Sequence, residues 1–190
     1  MIMPIVAYGD PVLRRVGDEI DADYPNLKQL IADMFETMYH AKGVGLAAPQ
    51  VGKSVRLFIV DGAPFAEDPE TEEEEALGSF RKVFINARIL EEDGTEWKYN
   101  EGCLSIPKIR EDVLRKPNVR IRWQDETFAT HEETFTGIAA RIIQHEYDHI
   151  EGKLFTDRIS PMRRQLLKNK LNDISRGRVA ADYKMRFPSK

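Results

Sequence analysis

The stretch GIAARIIQHEYDHIEG, residues 137–152, repeats along one face. Ile138, Ile142, His145 and His149 follow one another at four, seven and eleven residues from the first, which is the period of a helix with one side turned inward. Thr136 stands before it as a candidate cap and Gly152 after it as a stop. Inside it lies His-Glu-x-x-His. On a helix the two histidines are one turn apart and about 40° around the axis, so both imidazoles reach one ion. Glu146 is too near in sequence to be an easy third ligand. It is well placed to take a proton from a water that such an ion activates.

Two histidines leave a metal site incomplete. The usual completions lie downstream, as a third histidine or a glutamate about one helix further on. Phe155 occupies the position that the histidine would take, and no glutamate follows Glu151, so the common zinc-protease layouts are disfavoured. The other candidates are His40, His131, several carboxylates and Cys103. Only Cys103 lies in a segment suited to close approach, NEGCLSIP at 100–107. A thiolate and two neutral imidazoles form a three-ligand set of the catalytic kind. Gly102 lets the backbone come near a ligand, and the Leu104 N–H beside the metal is a candidate oxyanion donor. Asp148 either orients an imidazole or pairs with an arginine. Two rival readings remain: Cys103 as a nucleophile in a metal-free hydrolase, and a metal-stabilised binding domain without turnover. The donor types alone point to zinc.

Outward from this helix the chain offers one core. Its 190 residues, 42% hydrophobic, suffice for a single domain. A net charge of −4 argues against a global nucleic-acid or anionic-membrane surface. No segment reads as a signal peptide or as a membrane span of ~20 apolar residues, so no membrane and no DNA partner is expected. The single cysteine, Cys103, excludes an internal disulfide and fits a reducing cytoplasm.

The spacing of Leu27, Leu30, Ile31, Met34, Phe35 and Met38 predicts a capped helix after Pro25, ended by Gly43. The small-residue stretch GVGLAAPQVG (43–52) reads as a loop. Strands are expected at 55–60, 82–90, 96–100, 119–123 and 132–135. The acidic segment 66–79 reads as a solvated excursion, and a further helix follows Pro161. The fold class is therefore α+β: short antiparallel or mixed sheets around a central helix carrying the histidines, with an N-terminal and a C-terminal helix. The catalytic unit spans 1–175 and a basic tail spans 176–190. From Pro161 onward there are nine Lys/Arg against two Asp.

Three segments together, GVGLAAPQ (43–50), EGCLS (101–105) and QHEYDH (144–149), closely resemble the signature motifs of the peptide deformylases, in that family's order. DMFETMY in the first helix and IPKIR after the cysteine extend the resemblance to about residues 4–171 and to the bacterial type. It implies a hydrolase that removes the formyl group from N-formylmethionyl nascent peptides. Cys103, His145 and His149 would hold the metal and Glu146 would be the acid/base. The Gln50 side-chain amide and the Leu104 N–H would surround the formyl oxygen, with Gly45 nearby. Val44, Leu104, Ile138 and Ile142 would receive the methionine side chain. Gly43 and Gly102 would also meet substrate, with Arg110 and Arg141 near the rim. The peptide backbone would bind in strand fashion beside 43–46. The resemblance implies ferrous iron, Fe(2+), replaceable by zinc, nickel or cobalt. It also implies contact of the C-terminal helix with the ribosome. The acidic 66–79 segment is longer than in compact relatives, and the tail from Arg176 has no clear counterpart.

Overall fold

The computed structural model describes residues 1–188. In chain order these form β1 (Ile5–Val6), α1 (Leu27–His40), β2 (Gly45–Ala47), β3 (Leu57–Asp61), α2 (Glu72–Ala76), β4 (Arg81–Asp93), β5 (Trp97–Cys103), β6 (Ile106–Arg115), β7 (Asn118–Gln124), β8 (Thr130–Thr136), α3 (Gly137–Ile150), α4 (Pro161–Ser175) and β9 (Met185–Arg186). β3 shows why the layers form. All five of its residues are buried, because the two-residue alternation of a strand gives it an apolar side on each face. Leu57 and Ile59 meet Ile31, Met34, Phe35 and Met38 of α1. Phe58 and Val60 meet Ile138, Ile142, Ile143 and Ile150 of α3. The five-stranded antiparallel sheet, in the order β2-β3-β4-β7-β8, therefore lies between α1 and α3.

The β5–β6 hairpin is a separate two-stranded sheet. Its Ile106, Ile109 and Val113 pack with Leu154, Phe155 and Ile159 and with Leu167, Leu171 and Ile174 of α4. α3 is bound to this hairpin by buried arginine–carboxylate pairs, so the expected central helix between short sheets is what the chain builds.

Several local expectations change. Residues 45–47 are not loop but β2, paired Gly45 to Val60 and Ala47 to Phe58. A partner backbone supplies the ladder there, and propensity does not decide it. The residues that follow, Ala48–Val51, form a 3-10 turn. α1 begins at Asn26 in the left-handed region, and that side chain forms no cap hydrogen bond among the described residues. The helix ends with Lys42, at φ 58, in the left-handed position that Gly43 was expected to fill. The N–H of Gly43 then closes on the Met38 carbonyl at 2.9 Å, as in a Schellman stop. At α3 the glycine stop holds: Gly152 sits at φ 71 and Lys153 N–H donates to Asp148 O at 2.8 Å.

The acidic segment is more than a solvated excursion. Thr71 caps α2, Leu77 is buried, and Glu73 reaches the N-terminus of α3. There its Oε1 accepts from Ile138 N–H at 2.7 Å, in place of a side-chain bond from Thr136. Gly137, at φ 59, makes room for it: a Cβ there would lie within van der Waals exclusion of that oxygen. A carboxylate at a helix start is favourable for both capping and the helix dipole, together about 1 kcal/mol. The tail also returns to the body. β9 pairs in parallel with β1, Ile5 to Met185 and Val6 to Arg186.

Candidate metal centre

Cys103 reaches the histidines because its hairpin is irregular at one point. Gly102 pairs with Arg110, but the next residue, Cys103, pairs with Ile106. Residues 107–109 are thus left over as a bulge, with Lys108 at φ 68, and the bulge turns the end of β5 toward α3. The Cys103 Sγ lies 3.4 Å from His149 Nε2. One ligand atom from each of Cys103, His145 and His149 falls within 4.8 Å of the others. A thiolate and two imidazole nitrogens are a donor set for first-row divalent metals, and three protein donors are the catalytic number. Burial, reinforced by His145, pushes His149 down to about 3, so it is the neutral imidazole that a metal requires.

The orientation of His145 is set by Glu101, whose Oε1 lies 2.8 Å from His145 Nδ1. This leaves the other ring nitrogen for the cluster. Glu101 is itself enclosed. It accepts from Arg115 Nε and a terminal nitrogen at 2.8 and 2.9 Å and from Arg141 at 2.9 Å. Burial opposes its charge, but the bonds from His145 and Arg115 hold its carboxyl well below the usual carboxylate range. Arg141 therefore belongs to the buried wall of the cavity that Glu146 lines and not to a solvent-exposed rim. It is 2% exposed and also donates to Val113 O and Trp97 O. Asp148 takes the second of its two expected roles, accepting from Arg115 and Arg158. The other candidate histidines lie apart: His40 is on exposed α1 surface and His131 pairs with Asp125 at 2.6 Å.

Glu146 follows His145 on α3 and is 5% exposed. Its Oε2 is buried with no hydrogen-bond partner among the described residues. Burial pushes its carboxyl up to about 7, a range suited to taking and returning a proton near neutrality. Gly45 gives it space: a Cβ there would lie 2.5 Å from Glu146 Oε1 and 2.7 Å from Cγ. Gln50 is 1% exposed and fixed in direction. Its Oε1 accepts from Ala47 N–H at 2.9 Å, while Nε2 donates toward Cys103 Sγ at 3.4 Å and Ser105 Oγ at 3.2 Å.

A cavity of about 480 Å³ opens beside Glu146 and the Cys103–His145 side of the cluster. Val44, Leu104 and Ile142 line it, as do Gly43, Gly45, Gly102 and Arg110. Ile138 is not among the lining residues. It is buried in the core between α3 and the sheet. Phe65, Tyr99, Ala181, Asp182 and Tyr183 line the cavity without having been anticipated. Glu101 was also missed as an orienting group, although a signal existed: it stands two residues before Cys103, the spacing that puts both on one side of a strand. Tyr183 offered no local signal, since its contact with Leu104 spans 79 residues.

The polypeptide deformylase family model matches residues 2–165. A peptide deformylase from Christiangramia forsetii is 58% identical over 191 aligned positions, covering 100% of this chain and 97% of its own. Among solved structures, a peptide deformylase 1B from Arabidopsis thaliana in complex with an inhibitor superposes with a TM-score of 0.79 at 36% identity, covering 92% of this chain and 91% of that one. A peptide deformylase from Thermotoga maritima gives 0.74 at 40% identity, covering 85% and 99%. With a Cys-His-His cluster, a buried glutamate beside it and these relatives along its length, the chain belongs to the polypeptide deformylase family.

Proposed function

We propose that Cys103, His145 and His149 hold ferrous iron and that Glu146 moves the proton in hydrolysis of a terminal formamide. The overall reaction follows from the family: the enzyme is a hydrolase that removes the formyl group from the N-terminal formylmethionine of newly made polypeptides, releasing formate. The observation that carries the mechanism is the buried Oε2 of Glu146 at the cavity, without a partner among the described residues and beside three metal donors. A purely structural metal site has no use for it.

When bound, the ion supplies Lewis acidity to the attacking water and the formyl oxygen. Glu146 takes a proton from that water and returns it to the departing amine. The Nε2 of Gln50 and the N–H of Leu104 donate to the oxygen that gains charge, so they act mainly in the transition state. Val44, Leu104 and Ile142 take the methionine side chain, and Arg110, with Gly43 and Gly102, borders the path of the peptide. β2 is the outer strand of its sheet, which suits a substrate backbone added beside residues 43–46. Zinc, nickel and cobalt suit the same donors. The choice of iron rests on the resemblance to deformylases. Removal of metal by a chelator is expected to abolish formate release, and ferrous iron to restore it. Full activity in metal-free protein would instead favour Cys103 as a nucleophile.

No helix among the described residues is long and apolar enough to cross a membrane. Because the family's substrates are newly made polypeptides, we propose that the enzyme works in the cytoplasm, at the ribosome. α4 presents Arg164, Lys168 and Lys170 to solvent with Met162 and Leu166, which are 74% and 62% exposed, and the cations suit rRNA phosphates. Arg163 is already paired with Glu111. Deleting α4 would not test this, because Leu167, Leu171 and Ile174 belong to the core. Substituting Arg164, Lys168 and Lys170 together by Glu is expected to reduce ribosome co-sedimentation at low salt with turnover of free peptides retained. Unchanged co-sedimentation would remove α4 from the contact. Residues 1–175 form the proposed catalytic unit, and the tail after them completes its wall.

A further inference from the structure

Leu104 and Ser105 join β5 to β6, directly after the metal donor Cys103. A misplacement of about 1 Å in such a turn is enough to weaken catalysis about a hundredfold, so the contacts that fix its direction matter. Gln50 holds the sulfur and hydroxyl side, at 3.4 and 3.2 Å. Tyr8 N–H donates to Ser105 O at 2.9 Å. The remaining carbonyl, that of Leu104, accepts from the hydroxyl of Tyr183 at 2.7 Å.

Tyr183 stands in a segment that is itself tied down. Two residues later begins β9, paired with β1, and Ile5 N–H and Ala7 N–H donate to Lys184 O and Arg186 O at 2.9 Å each. β1 leads directly to Tyr8. The β1–β9 pair thus holds the 103–105 turn at two successive carbonyls, through Tyr8 and Tyr183. Ala181, Asp182 and Tyr183 also form part of the cavity wall.

We propose that Tyr183 is a positioning residue for deformylation: its hydroxyl, by holding the Leu104 carbonyl, fixes the turn that aims the Leu104 N–H and Cys103 at the reacting formyl group. The tail is then a working part of the active site, and the part it serves is the oxyanion side and not the methionine pocket. The proposal rests on the deformylation mechanism above, which formate release by the wild-type enzyme tests separately.

The test is Tyr183→Phe, which removes the hydroxyl and keeps the ring. Losing one such hydrogen bond is expected to lower kcat by about tenfold, with KM for a formylmethionyl tripeptide within about twofold. Amide hydrogen exchange across residues 103–105 should speed up. In cobalt-loaded protein the sulfur-to-metal absorption band should shift. 4-Aminophenylalanine at position 183, which keeps a donor, should restore kcat. Unchanged kcat and exchange in a folded Tyr183→Phe protein would overturn the proposal. So would failure of the amino variant to rescue, or a collapse of the thermal midpoint, which would assign the hydroxyl to stability alone.

Discussion

Glu146→Gln is expected to lower kcat for formate release from formylmethionyl peptides by about 10²–10⁴-fold, the range contributed by a positioned general acid–base. The substitution keeps the volume that Gly45 has made room for and removes only the ability to carry a proton. Because Glu146 is not one of the three donors, metal content should remain that of the wild type. KM should change little, since the carboxylate acts on the water and the leaving amine and not on the methionine side chain. Steady-state formate release, read alongside metal analysis and a thermal melt, decides the matter. Wild-type turnover in a metal-loaded Gln variant would exclude Glu146 as the proton carrier.

Glu101→Ala is expected to have the largest effect on stability, about 3–5 kcal/mol, the cost of leaving buried charge uncompensated. Glu101 is the shared counter-ion of Arg115 and Arg141 and the partner of His145, with all three inside 2.9 Å. Arg115 keeps Asp148 when Glu101 is lost, but Arg141, 2% exposed, keeps only backbone carbonyls. The orientation of His145 goes with it, and metal affinity should fall about 10–100-fold, as for other groups that orient a metal-bound imidazole. Urea unfolding and metal competition measure the two effects. A stability loss below about 1 kcal/mol, the worth of a surface pair, would show that the arginines find other partners.

The two variants separate chemistry from architecture at two points of one site, Glu146 on α3 and Glu101 on β5. Glu146 lines the cavity and its Oε2 has no hydrogen-bond partner among the described residues, so its loss is felt in kcat. Glu101 is wholly engaged, so its loss is felt in the fold and the metal. Of the pair, Glu146 was legible in the sequence with its role, and Glu101 only by its place two residues before Cys103. The motif on α3 displays Glu146 at a fixed angle from its histidines, whereas the value of Glu101 arises from two arginines, 14 and 40 residues away in the chain.

What the sequence by itself determined is what repeats locally. The turn of a helix places His145, Glu146 and His149, and Gly152 stops that helix, because intrahelical geometry is the same in any tertiary setting. The apolar periods of α1 and β3 likewise announce which faces will be buried. The three deformylase-like motifs named the reaction. The tertiary structure alone decided everything that depends on strand register and chain return. It brought Cys103 to His149 across 46 residues, by means of a bulge in the β5–β6 hairpin. It made the glycine-rich segment a strand, because β3 offered it a backbone to pair with. Glu73 capped α3 from 65 residues away, and the tail came to rest against the Leu104 carbonyl. A local pattern specifies which face a side chain occupies. Only the packing of distant elements, whose register no local pattern encodes, specifies what that face meets.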